Sequence, residues 1–438
     1  MARFADSPKP IWYAALSAPP DRTRGTRLDA NLYRDPGPMT FGRFHYKAPT
    51  QGRLQRGGRE RPGGAYSMET VWSDEFEIAW TKQGDRGPLM LILHGVPCNR
   101  AQWEPIQRLL APFCETISVD MLGMGESSMP REYGARIGRS VDVAIDKGEP
   151  TQWDWVNDVD YLEQLMQASY PNRKFFLLAD DWGSGIASHY AAKHNDRLLG
   201  LIHLDPIAFD GYPVNEIQAI GRGSLIPNTP EGDAVFQQAF AAFDQTCVQI
   251  LKSMVHHRER YNQYTMRLLT FPYVDQDYER NGAGDGLSDI FRARTARLNF
   301  HNLRVLSDRA AALSPAQLLP YDEEHNPLGV QYDKITIPTL IMWGEHDTMM
   351  PAAQSHRFAN VLGTDDVQTT LIPDAGHFAH TDQPEKVAET IIDFVRRVVG
   401  RAHLGDIFLG YQGIWKGDER HMIGALRQIH GIEAQSRL

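Results

Sequence analysis

The stretch Phe175-Phe176-Leu177-Leu178-Ala179-Asp180-Asp181-Trp182-Gly183-Ser184-Gly185-Ile186-Ala187 constrains this chain more than any other part of it. An apolar run of strand type meets a turn of small residues and passes into the helical stretch Ser188-His189-Tyr190-Ala191-Ala192-Lys193. So sharp a turn from strand to helix needs small residues two positions before its apex and two and three positions after it. With Asp181 at the apex, those positions hold Ala179, Gly183 and Ser184. With Ser184 at the apex, Trp182 and Ile186 would fall where small residues are required. A plainer reading has Asp180 and Asp181 capping a helix N-terminus, which suits Asp by hydrogen bonding and by charge. Residues 175–187 alone leave both readings open.

At 438 residues, 42% of them hydrophobic, the chain can bury a large core, and α/β folds with insertions reach this length without a second one. A net charge of −10 and a pI near 5.9 argue against nucleic acid or an anionic membrane as the main partner. Cys98, Cys114 and Cys247 are too few and too scattered for a disulfide framework or a cysteine zinc site. Met1-Ala2-Arg3-Phe4-Ala5-Asp6 lacks the apolar core of a signal peptide, and no stretch is apolar enough to span a bilayer. A cytoplasmic enzyme is the expectation.

Residues 1–68 are rich in Pro, Gly and Arg, most of all between Gln51 and Gly64. That composition offsets little ordering entropy, so an N-terminal arm outside the core is expected. Its aromatic residues Trp12, Tyr13, Tyr33 and Phe44 offer contacts to the body or to a second copy, a route to a homo-oligomer. Strand patterns recur through 69–205 and 336–400, alternating with helical ones, which predicts an α/β core with a mostly parallel sheet flanked by helices. Between 206 and 335 the alternation stops and helical patterns dominate, as in an inserted helical cap. Residues 401–438 read as a tail with a short terminal helix.

In parallel sheets the functional loops gather at the carboxyl ends of the strands. Leu89–Leu93 leads into His94-Gly95-Val96-Pro97, Leu199–Leu204 ends in Asp205, Leu340–Trp343 precedes Asp347, and Val367–Ile372 precedes His377. The chain order nucleophile, acid, His is that of the α/β-hydrolase fold, and over residues 75–400 the chain resembles that superfamily. Within it, Asp181-Trp182-Gly183-Ser184 is similar to the haloalkane dehalogenases and the epoxide hydrolases, which share an Asp nucleophile. Leu122, where epoxide hydrolases often have Arg, and Trp103 incline the resemblance toward the dehalogenases. Two departures oppose it. Val96 stands where dehalogenases usually carry Asn or Glu, and no Trp lies between Trp182 and Trp343 to serve as a second halide donor.

The resemblance implies a covalent ester on Asp181, formed by displacement at a saturated carbon and hydrolysed by water with His377 as general base. Asp347 is the expected acid partner of His377, with Asp205 as the alternative. The amides of Val96 and Trp182 are the expected oxyanion hole, and the Trp182 indole N–H the expected halide and substrate contact. An epoxide hydrolase would instead need cap tyrosines, for which Tyr212, Tyr261, Tyr264, Tyr273, Tyr278 and Tyr332 are available. A hydrolase-like binding protein without activity is a remote third reading, since such proteins usually lack part of the triad. His256, His257, His301 and His380 show no metal-ligand spacing and read as surface or cap histidines. Neither a metal nor a cofactor is expected; the expected partners are a small apolar organic substrate and water.

Overall fold

A computed structural model describes residues 39–47, 75–95, 98–122, 124, 127, 158–207, 231, 235, 256 and 330–402. The expected cap and the 401–438 tail therefore lie almost wholly outside the described residues, as does most of the 1–68 arm. The described chain forms eight strands: β1 Thr40–Lys47, β2 Glu75–Gln83, β3 Leu89–Leu93, β4 Glu115–Val119, β5 Phe175–Asp180, β6 Leu198–Pro206, β7 Thr339–Gly344 and β8 Val367–Ile372. They build one sheet in the order β1-β2-β4-β3-β5-β6-β7-β8. β2 runs antiparallel to β1 and to β4, and every other neighbouring pair is parallel.

The central strands are apolar at successive positions because each face of the sheet has its own core. Leu89, Leu91 and Leu93 of β3 and Leu177 and Ala179 of β5 belong to one apolar cluster, while Met90, Ile92, Phe176 and Leu178 belong to the other. The first cluster is closed by helices α2 Asp158–Ser169, α3 Asp181–Lys193 and α4 Gln354–Val361, through Leu162, Ile186, Tyr190 and Phe358. The second is closed by α1 Glu104–Leu110 and α5 Pro384–Arg401, through Ile106, Leu110, Ile391 and Phe394. Each Leu or Ile so buried contributes about 1.5–3 kcal/mol, which makes the three-layer arrangement robust to surface change.

β1 departs from the sequence reading. It falls inside the 1–68 stretch, yet pairs along its whole length with β2 from Thr40↔Lys82 to Lys47↔Glu75. Its half-buried Phe44 packs on the first cluster, and Arg43 makes an ion pair with Glu77 at 3.1 Å. The Gly- and Arg-rich composition on either side masks a short alternating segment, Phe41-Gly42-Arg43-Phe44, whose ladder bonds come from a strand distant in sequence. Among the described residues no helix is long and apolar enough to cross a membrane.

Candidate active site

The carboxyl ends of the parallel strands β3, β5, β6, β7 and β8 lie at one end of the sheet, and the strand order reverses direction at β3. At the end of β5, Asp181 adopts φ +43°, a conformation uncommon for any residue but glycine. The neighbours hold it there. A Cβ on Gly183 would stand 2.7 Å from the His94 carbonyl, and a Cβ on Gly95 would stand 2.6 Å from the Cβ of Asp181. Ser184 is fully buried, and its hydroxyl donates to the Ala179 carbonyl at 3.0 Å, bracing the turn from inside. Asp180 occupies the N-cap position of α3, but its side chain makes no capping bond.

Asp180 points instead into the protein, where its Oδ2 accepts from Gln102 Nε2 at 2.8 Å. Burial first, and then the neighbouring Asp181 carboxylate, push its carboxyl up to about 8, so it stays protonated through neutral pH. Two adjacent acids thus play different parts, one neutral and inside, the other at the apex. Sequence reasoning had no signal for Gln102 or for this division.

His377 lies after β8, and its two ring nitrogens face two carboxylates. Nδ1 donates to Asp347 Oδ2 at 2.8 Å, and Nε2 is 3.4 Å from Asp181 Oδ2. Burial lowers the imidazole's pKa, but Asp347 and Asp181 outweigh it and hold the ring well above its ordinary value. Asp347 is itself secured: Oδ1 accepts from the amides of Met349 and Met350 at 2.8 and 2.9 Å, and Oδ2 accepts from Trp343 Nε1 at 3.1 Å. Asp205, the other candidate acid, is fully buried at the end of β6 with φ +44°. Its Oδ1 accepts from the Gly344 amide at 2.6 Å rather than from His377. Burial and the nearby Asp347 raise its pKa well above the usual carboxylate range.

The loop after β3 is fixed by buried polar contacts. His94 Nδ1 donates to the Gly95 carbonyl at 2.7 Å while Nε2 accepts from the Met121 amide at 3.0 Å, which assigns a neutral tautomer, and burial lowers its pKa. Arg100 forms a buried ion pair with Asp120 at the end of β4, and its backbone amide donates to the same carboxylate at 2.7 Å. Val96 itself lies outside the described residues, so its amide has no described position. Trp182 is buried in the first apolar cluster directly after Asp181. The indole N–H of Trp103 is engaged by the Leu93 carbonyl at 3.0 Å.

Two sequence expectations need correction. His380 is not a surface histidine: it is 1% exposed, its ring lies 5.1 Å from that of Trp103, and burial followed by His377 lowers its pKa to about 3. It follows His377 by three residues, so the turn that delivers His377 to the site also carries His380 inward. Tyr332 drops out of the set of ring-opening acids because it is core, packed at 5.2 Å against Phe358. Tyr212, Tyr261, Tyr264, Tyr273 and Tyr278 lie outside the described residues.

The arrangement pairs a carboxylate at a strained apex with an imidazole and a second carboxylate behind it, a set suited to nucleophilic attack followed by general-base hydrolysis. Residues 88–384 match the alpha/beta hydrolase fold family. The chain is similar to epoxide hydrolase 3 of Xenopus tropicalis, 23% identical over 72% of this chain and 74% of that one. It is similar to the human monoacylglycerol lipase ABHD6, 22% identical over 75% and 82%. It is also similar to a haloalkane dehalogenase of Mycolicibacterium smegmatis, 20% identical over 72% and 86%.

Proposed function

The chain belongs to the alpha/beta hydrolase fold family, and from that membership we propose that it is a hydrolase working through a covalent ester on Asp181, with carbon–halogen cleavage as its reaction. The observation that carries this reading is the apex: Asp181 at φ +43°, with Oδ2 facing His377 Nε2 at 3.4 Å. A serine mechanism of the lipase type is disfavoured because Ser184 is buried and its hydroxyl is bonded to the Ala179 carbonyl.

An ionised Asp181 attacks a saturated carbon of a small apolar substrate, the carbon–halogen bond breaks with its electron pair leaving on halide, and an alkyl ester forms on the enzyme. The indole N–H of Trp182 is the proposed halide donor, since it offers no acceptor to repel an anion. Esterification removes the Asp181 charge that helped to hold His377 protonated, so the ring releases its proton and becomes a base. It then draws a proton from water, whose oxygen adds to the ester carbonyl, with the amides of Trp182 and Val96 proposed to stabilise the oxyanion. Collapse releases the alcohol and restores the Asp181 carboxylate and the His377 imidazolium. Asp347 keeps the imidazole oriented throughout.

Single turnover in heavy-oxygen water tests the mechanism, because the label must enter the Asp181 carboxyl, where mass spectrometry of its peptide detects it. Label confined to product, with Asp181→Ala still active, would sink it. Halide release from short haloalkanes exceeding diol formation from styrene-type epoxides separates the dehalogenase reading from the epoxide one. Absence of both, with tight binding of such compounds, would favour a binding protein.

A further inference from the structure

His256, His346 and Asp374, distant from one another in the chain, stand together on the surface, with one ligating atom from each lying within 4.8 Å of the others. We propose that these three side chains bind one divalent transition-metal ion of the zinc type, linking His256 to the two loops that carry Asp347 and His377. Two imidazoles and one carboxylate form a donor set of intermediate softness that suits zinc, whereas calcium and magnesium favour oxygen ligands alone. Tetrahedral zinc, with bonds of about 2.0–2.2 Å, holds its donors about 3.3 Å apart. Closing from 4.8 Å asks only side-chain rotation of exposed groups.

The backbone under the cluster is already locked. His346 N–H donates to the Ala375 carbonyl at 2.8 Å and Glu345 N–H to the Ile372 carbonyl at 3.0 Å, which fastens the loop after β7 to the loop after β8. Asp374 sits at φ +52°, an αL conformation that Asp tolerates better than most residues, and its carbonyl accepts from Gln383 Nε2 at 3.3 Å. His256 is tied in by two separate contacts. Its ring stacks on that of His346 with centroids 4.3 Å apart and planes 20° from parallel. Its backbone N–H donates at 2.9 Å to Asp382 Oδ2, a buried oxygen that also accepts from the Gly376 amide at 2.8 Å. Glu345, whose Oε2 lies 4.0 Å from His346 Nε2, adds negative potential beside the cluster, and water completes the coordination. The ion is separate from the Asp181 chemistry and acts as a clamp.

The test is isothermal titration of chelator-treated, full-length protein with zinc chloride, alongside thermal unfolding with and without zinc. One ion per chain is expected, with a raised unfolding temperature, and His346→Ala and Asp374→Asn should each weaken binding at least tenfold and abolish the shift. His356→Ala, an exposed histidine outside the cluster, should bind as the parent does. Equal affinity in the parent, His346→Ala and Asp374→Asn, or equal loss in His356→Ala, would overturn the proposal. Circular dichroism distinguishes lost binding from lost folding, and the more conservative His346→Gln replaces any unfolded variant. Neither readout depends on turnover, so failure here leaves the Asp181 mechanism untouched, and failure of that mechanism leaves this site standing.

Discussion

Asp205 and Asp347 stand at the ends of the adjacent strands β6 and β7, and it is Asp347 that accepts from His377 Nδ1, at 2.8 Å, while Asp205 accepts from the backbone of Gly344. One carboxylate orients the imidazole. The other secures the end of β7 as a raised, buried acid. Asp347→Asn should slow ester hydrolysis at least ~100-fold while leaving ester formation within about threefold, so that alkyl-enzyme accumulates and is visible by intact mass. Asp205→Asn keeps an acceptor for Gly344 and should turn over without trapped ester. The opposite pattern would exchange the two roles.

His377 gives a pH-linked outcome with a definite sign. Burial lowers its pKa, but Asp347 and Asp181 raise it well above the ordinary value in the resting protein, and the proposed esterification of Asp181 would remove one of those carboxylates. About one proton per site should therefore appear in solution together with halide, in the first half-reaction. Stopped-flow with an indicator dye reads this directly. Proton release that lags halide and follows alcohol formation would show that the ring starts neutral.

Gly95→Ala places a methyl 2.6 Å from the Cβ of Asp181 and 2.9 Å from its Oδ1. Neither the strained apex nor the sheet beneath it can yield, so the variant should lose about 1–3 kcal/mol of stability and displace the carboxylate from His377. Denaturant melts and single-turnover ester formation check the two effects separately. Full ester formation in Gly95→Ala would mean that the apex is not crowded.

Asp180→Asn should stabilise the protein increasingly as pH rises. The carboxyl titrates near 4 when unfolded but is pushed up to about 8 when folded. Between these values the folded state holds a proton that the unfolded state has lost, so the parent loses about 1.4 kcal/mol per pH unit from this group as pH rises. Asn has no such cost and still offers an oxygen to Gln102 Nε2. The stability difference, measured by denaturant melts from pH 4 to 9, should grow with pH and level off above about 8. A difference independent of pH would show that Asp180 is ionised in the fold.

Features that are local or periodic were legible from the order of residues alone. The spacing of Ala179, Gly183 and Ser184 around Asp181 is readable within one segment, because a strand-to-helix turn imposes its crowding on immediate neighbours. The unbroken apolar runs of β3, β5 and β7 announced strands covered on both faces. Whatever depends on groups meeting across strands became visible only in the folded chain. The choice between Asp205 and Asp347 rests on the distance of each side chain from one imidazole. The neutral state of Asp180 rests on burial and on Gln102. The meeting of His256 with His346 and Asp374 has no fixed spacing to betray it. β1 escaped notice for the same physical reason: its hydrogen bonds belong to Glu75–Gln83, and eight residues flanked by Gly, Pro and Arg carry too weak a pattern to declare a strand without that partner.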